Sequence, residues 1–211
     1  KDHVEFWGSP DLLQWAKHSS FGTDLGAHGG VWECPDLFPM KVSATGEEKY
    51  VLLVSINPGG PNGGSATQFF IGSFNGKEFI PDTVHQNKKP LWLDYGRDNY
   101  AGVTWSNIAA TDGRRLFMGW MSNWDYAQVV PTTVWRSAMT VPRSLSLKKT
   151  NEGLRIKSEP VKELRQLRGQ QVKFSPSTVK TKVNLSNTSV PVQQSEWLLD
   201  LELEDVNTTS V

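Results

Sequence analysis

The residue best placed to move a proton is Glu33, set between Trp32 and the Cys34–Pro35 pair. A carboxylate beside an indole is poorly solvated when charged, so its pKa is expected to rise. A carboxyl group that keeps its proton near neutral pH is what general-acid catalysis needs. The competing reading is an ordinary solvated charge, the common state of a loop Glu. Gly26, Gly29 and Gly30 precede Glu33, and glycines let a chain turn tightly or lie close to a ligand. Pro35 pushes Cys34 towards an extended conformation. An apolar segment closed by Pro39 follows. The stretch reads as a sharp loop that delivers Glu33 at the start of a strand.

Other chemistries find little support. Cys34 is the sole cysteine, so no disulfide closes within the chain, and the residue reads as a small buried hydrophobe. The four His (His3, His18, His28 and His85) are scattered without ligand spacing, so neither a metal site nor a cofactor is expected. The glycine-rich stretch Gly59–Gly64 lacks the following Lys-Ser/Thr and helix of a phosphate loop. The 22 basic and 22 acidic residues cancel, which favours neither nucleic acid nor an anionic membrane. No apolar run approaches the roughly 18 residues of a membrane span.

The elements that must hold Glu33 are strands. Nine Trp, 18 Gly and 12 Pro in 211 residues fit many short strands between turns. Residues 4–8 read as a strand, and Leu12, Leu13 and Trp15 are expected to pack over the turn Ser9-Pro10-Asp11. Residues 49–57 form the clearest strand, apolar enough to be buried on both faces. Residues 67–74 return as a strand, Asn75-Gly76 makes a hairpin, and further strands fall at 101–106 and 115–121. No stretch offers a convincing amphipathic helix; the nearest is Val161 to Leu167. The expected class is all-β, a propeller or a sandwich.

Five stretches carry a resemblance: Trp32-Glu33-Cys34-Pro35, Ser55-Ile-Asn57-Pro-Gly-Gly-Pro61, Asp94-Tyr-Gly-Arg-Asp98-Asn-Tyr100, Gly119-Trp-Met-Ser-Asn-Trp124-x-Tyr126 and Trp135-Arg-Ser-Ala-Met139. In this order they resemble glycoside hydrolase family 32, the invertases, exo-inulinases and levanases. The Asn-Pro-Gly-Gly-Pro form is more similar to the exo-inulinase and levanase branch. The resemblance implies a five-bladed β-propeller followed by a β-sandwich. It implies retaining release of terminal fructose from sucrose, inulin or levan. Glu33 matches the general acid/base of the family. Trp124 is implied to line the fructose pocket and Asn57 to lie near the rim where the next sugar sits. Asp98 and Tyr100 complete the substrate-binding set, although Asp98 could equally cap a turn. Arg136 reads as a loop tie.

The family's nucleophile lies in an Asn-Asp-Pro-Asn-Gly motif, and its transition-state-stabilising Asp in an Arg-Asp-Pro motif. Neither occurs in these residues. The resemblance therefore implies a C-terminal portion: about three blades over 1–147 and the beginning of the sandwich over 148–211, with the boundary at about 143–160. The 211-residue chain alone is expected to hydrolyse no fructoside. Its partners are expected to be a fructose-containing oligo- or polysaccharide and the missing N-terminal blades or a second chain carrying them. The alternative is a truncated, non-catalytic sugar-binding remnant. The family implies secretion, and sequons at Asn184, Asn187 and Asn207 are compatible with it. The chain does not begin with Met and shows no signal peptide, which reads as a mature product, a fragment or an excised piece.

Overall fold

The computed structural model of the protein describes residues 2–83, 89–185 and 192–202. Strands make up nearly all regular structure, and helix is limited to short 3₁₀ turns such as Lys162–Leu167. β1 (Val4–Gly8) and β2 (Ala16–Phe21) form a hairpin. β3 (Val31–Lys41), β4 (Glu48–Asn57), β5 (Ala66–Phe74) and β6 (Phe79–Pro81) form a four-stranded antiparallel sheet in sequence order. β7 (Tyr100–Thr104), β8 (Arg115–Trp120), β9 (Arg143–Thr150) and β10 (Gly153–Pro160) repeat the pattern in a second sheet.

The pleat of β4 explains the core. Successive side chains of a strand point to opposite faces. Val51 and Leu53 enter one apolar cluster with Phe38, Phe69, Ile71, Phe117, Leu145 and Leu147. Leu52, Val54 and Ile56 enter another with Val4, Phe21, Trp32 and Phe70. The first sheet is thus covered on both faces, as the apolar run at 49–57 predicts. Each fully buried Val, Leu, Ile or Phe contributes roughly 1.5–3 kcal/mol.

Asn75-Gly76 closes the β5–β6 hairpin as expected, with the Asn75 side chain accepting from the amides of Lys77 and Glu78 at 2.9 and 2.8 Å. The Ser9-Pro10-Asp11 turn also forms, because Asp11 Oδ1 accepts from the amides of Leu13 and Gln14, each at 2.9 Å. The expected packing over it does not: Leu12, Leu13 and Trp15 are exposed by 75, 85 and 53%. Leu12 sits in the left-handed region at φ 64, and this turn presents its apolar side chains outward.

The chain divides into two compact units, Lys1–Val161 and Lys162–Val211. β9 runs unbroken through residues 143–150 and pairs with β10, so the Lys148–Gly153 turn lies inside the first unit. In the second unit, Arg168 pairs with Glu196 at 2.5 and 2.8 Å and Phe174 stacks on Trp197. Its described residues form no strand. The alternating stretch that starts at Trp197 joins no ladder as far as Glu202, and 203–206 lie outside the described residues. Alternation alone does not make a strand stable; it needs neighbouring strands.

Candidate active site

Glu33 owes its direction to a β-bulge. It pairs with Ser55, and the next pair in register is Asp36 with Leu53. Cys34 and Pro35 on β3 therefore oppose Val54 alone. The extra residue reverses the alternation of β3. Before the bulge the even-numbered Trp32 faces the cluster of Leu52 and Ile56; after it the even-numbered Phe38 and Met40 face the opposite cluster. Glu33 is consequently turned to the side of β7, away from Trp32. The indole buries itself and donates to Ala27 O at 2.9 Å. The expected contact between indole and carboxylate is therefore absent, since the two side chains leave opposite faces of one strand.

Cys34 is also placed differently from expectation. It is exposed, not buried, and takes φ 47 instead of an extended conformation. The bulge imposes this backbone against the preference of a residue before proline. Partial burial of the thiol, and secondarily the Glu33 carboxylate, raise its pKa.

Tyr100 meets Glu33 from the second sheet, its hydroxyl donating to Glu33 Oε2. Tyr100 is 3% exposed, and burial, followed by its hydrogen bond to Glu33 and then that carboxylate's charge, pushes its phenol well above the usual tyrosine range. β7 is bulged at the same point. Tyr100 pairs with Trp120 and Val103 with Met118, leaving Ala101 and Gly102 opposite Gly119. Ala101 takes φ 52, close to that of Cys34. Two further bonds tie the bulges together: Ala101 N donates to Ser55 Oγ at 3.1 Å, and Thr104 N to Asp36 Oδ2 at 2.7 Å.

An aromatic wall continues from Tyr100. Its ring lies 6.3 Å from Trp120, and Trp120 lies 5.0 Å from Trp124. Trp124 is 45% exposed, so part of its ring stays open. Asn57 joins this wall through Ser65, whose Oγ donates to Asn57 Oδ1 at 3.0 Å and accepts from Trp124 N at 3.1 Å. Asp98 accepts from the Tyr126 hydroxyl, while Arg97 pairs with Asp125 at 3.0 Å. Burial and then Asp98 raise the pKa of Tyr126. Glu33, Tyr100, Trp124 and Asn57 are thus linked through intermediate contacts, and Asp98 belongs to the neighbouring loop. Arg136 donates to Gln128 O at 2.8 Å, holding a loop as its sequence context suggests.

Two residues of this neighbourhood received no role from the sequence: Ser65 lies outside every quoted stretch, and Asn123 stands unremarked inside one. Ser65 and Asn123 are buried and polar. Asn123 accepts from Ser65 N and Asp125 N and donates to Arg97 O, joining three loops. The signal was Gly64: at φ +60, a Cβ there would lie 2.0 Å from Asn123 Oδ1. The glycine-rich loop is therefore a close approach to Asn123. Among the described residues no group of three or more His, Cys, Asp and Glu could hold a metal ion, and no helix is long and apolar enough to cross a membrane.

An exposed glutamate, a buried tyrosine donor and a tryptophan wall thus meet where the edges of the two antiparallel sheets adjoin. Residues 1–160 match the family model described as Glycosyl hydrolases family 32 N-terminal domain, and the chain belongs to that family. A levanase of Bacillus subtilis (strain 168) is 49% identical over 179 residues, 84% of this chain and 26% of the levanase. An extracellular exo-inulinase of Meyerozyma guilliermondii is 43% identical over 148 residues, 70% of this chain and 27% of the relative. The crystal structure of the Aspergillus awamori exo-inulinase superposes with a TM-score of 0.69 at 35% identity, covering 75% of this chain and 31% of that one. A Schwanniomyces occidentalis fructofuranosidase complexed with fructose gives 0.66 at 33% identity, covering 76% and 31%. The sheets accordingly belong to the all-β propeller class of these enzymes. The chain spans about a quarter of the length of the levanase it matches.

Proposed function

We propose that this chain is the acid/base-bearing part of a retaining β-fructosidase that releases terminal fructose from levan, inulin or sucrose outside the cell. The observation that carries the reading is the Tyr100 hydroxyl on Glu33, beside the wall of Trp120 and Trp124. Glu33 gives its proton to the departing glycosidic oxygen while a second carboxylate attacks the anomeric carbon. In the second step Glu33 takes a proton from water, which attacks the same carbon and frees the fructose and the nucleophile. Retention places the two carboxyl groups about 5–5.5 Å apart. The partner carboxylate belongs to the Asn-Asp-Pro-Asn-Gly motif, which does not occur in the 211 residues. It comes from N-terminal propeller blades or a second chain. The described sheets form part of a five-bladed propeller, and the residues that follow the first unit, from Lys162 onward, lead into a β-sandwich. Trp124 and Asn57 hold substrate, Asp98 shapes the adjoining loop, and Tyr100 orients Glu33 from within the set expected to bind substrate.

The test combines intact mass with fructose release from sucrose, inulin and levan. The 211-residue chain by itself is expected to release none. Joined to a polypeptide bearing the nucleophile motif it should turn over, and Glu33→Gln should then slow release by roughly 10²–10⁴-fold. Turnover by the isolated chain would refute the division of the catalytic pair. An unaffected rate in the Glu33→Gln assembly would refute the role of Glu33. Sugar binding without turnover in any assembly would favour a binding remnant.

A further inference from the structure

We infer that Ser65 is a positioning residue: it fixes the Asn57 side chain so that its NH₂ group, and not its carbonyl, is offered to the sugar beyond the terminal fructose. The inference rests on the proposed fructosidase reading for its ligand and on geometry alone for the positioning.

Ser65 is 3% exposed, and its hydroxyl has two partners. Its single hydrogen goes to Asn57 Oδ1 at 3.0 Å, and its oxygen accepts from Trp124 N at 3.1 Å. A serine hydroxyl has one donor, so donating to Asn57 fixes which end of the amide it meets. Asn57 Nδ2 then has no protein partner among the described residues, and Asn57 is not fully buried. An Asn with its oxygen engaged and its NH₂ open is a hydrogen-bond donor towards a ligand hydroxyl oxygen. The same serine holds the backbone at Trp124, so the aromatic face and the amide are set by one hydroxyl.

Ser65 is itself clamped. Its amide donates to Asn123 Oδ1 at 3.2 Å, and Asn123 is fully buried. Asn123 Nδ2 also donates to Arg97 O at 2.7 Å, and Asn123 Oδ1 accepts from Asp125 N at 2.9 Å. Three loops thus converge behind Ser65, which leaves its hydroxyl little freedom to choose other partners. Losing it frees Asn57 to rotate about its terminal torsion, whose energy surface is broad.

The experiment uses the 211-residue chain and reads the Asn57 side-chain amide by NMR, assigned by its disappearance in Asn57→Asp. In the wild type this amide should be as ordered as the β4 backbone. In Ser65→Ala it should become mobile on the picosecond–nanosecond timescale, with the Trp124 backbone amide shifted and the β4 amides unchanged. Ser65→Cys keeps the volume but only a weak donor, so it should behave like Ser65→Ala; it also serves if the alanine variant fails to fold. An ordered Asn57 amide in the Ala or Cys variant overturns the inference, because packing and not the hydroxyl would then set it. Titration with 1-kestose should shift the Asn57 amide, with affinity about five- to tenfold weaker in the Ser65 variants. Loss of order without any response of the wild type to 1-kestose would support the positioning and refute the fructosidase reading of this rim.

Discussion

The two four-stranded sheets share a strand order and differ in how they meet solvent. In the β3–β6 sheet both faces are covered, and β4 is buried without interruption from Val51 to Ile56. In the β7–β10 sheet one face is covered: Phe117, Leu145 and Leu147 point inward, while Val103 is half exposed. Each sheet nevertheless presents the same device at its edge. A residue with chemistry, Glu33 or Tyr100, is followed by a two-against-one bulge that starts with a left-handed residue, Cys34 or Ala101. Bulges bend a strand and re-aim its side chains. Here they set a carboxylate and its donor face to face across two sheets, one from an open bulge and one from a packed bulge.

That difference predicts where the device is fragile. The β7 bulge leaves no room: a Cβ at Gly102 would lie 2.1 Å from Phe117 Cζ, and Phe117 is fully buried. Gly102→Ala should therefore destabilise the first unit by about 1–3 kcal/mol, the usual cost of overpacking a core. A change in the open bulge, Cys34→Ala, should stay within about 0.5 kcal/mol, as exposed substitutions do. Urea midpoints at constant slope measure both. Equal losses at the two positions would show that the bulges are not distinguished by packing.

The two side-chain ties from the β3 bulge should rank in the same way. Asp36 accepts the Thr104 amide at 2.7 Å, and both residues are partly buried. Asp36→Ala leaves that amide unpaired, at about 1–2 kcal/mol. Tyr100→Phe removes the donor from Glu33, but Glu33 is exposed and water replaces it, so the loss should be about 1 kcal/mol or less. In a nucleophile-bearing assembly the ranking should invert, with fructose release slowed more by Tyr100→Phe than by Asp36→Ala. A rate insensitive to Tyr100→Phe would remove Tyr100 from the site.

Much of this was legible in the residues. The apolar run of β4 announced a strand covered on both faces, and Asn75-Gly76 announced its hairpin. The link of Glu33, Asn57, Tyr100 and Trp124 was legible as motifs, without the reason for their meeting. What stayed hidden depended on register. A bulge inverts which residues share a face, so the neighbour of Glu33 in sequence, Trp32, was mistaken for its neighbour in space. Its partner comes from 67 positions away in the chain. Cys34 and Leu12 were misplaced for a related reason: their positive φ angles are set by the bulge and the turn, and no propensity of Cys or Leu foretells them. Ser65 and Asn123 were hidden because buried polar residues show no pattern until their partners are known.

The finest expected effect tests whether Glu33 is felt by both of its neighbours. Burial is the largest cause of the raised Tyr100 pKa, followed by the hydrogen bond to Glu33 and then its charge; for Cys34 burial leads and the Glu33 charge follows directly. Glu33→Gln removes the charge and leaves the burial. The Tyr100 phenol should then ionise at lower pH, though still above the ordinary tyrosine range, in a spectrophotometric titration differenced against Tyr100→Phe. The Cys34 thiol should react faster with a disulfide reagent at mildly alkaline pH. The linkage has a definite sign. In the native state Tyr100 keeps its proton after the unfolded phenol, with a pKa of about 10, has lost it, so the unfolded state binds fewer protons above that pH. Its contribution to stability is intact below about pH 10 and declines as pH rises through the folded-state value. Glu33→Gln should narrow that window from above and leave Tyr126, whose neighbour is Asp98, unmoved. If Tyr100 and Cys34 titrate identically with and without the Glu33 charge, burial alone sets them and the two bulges share geometry without sharing electrostatics.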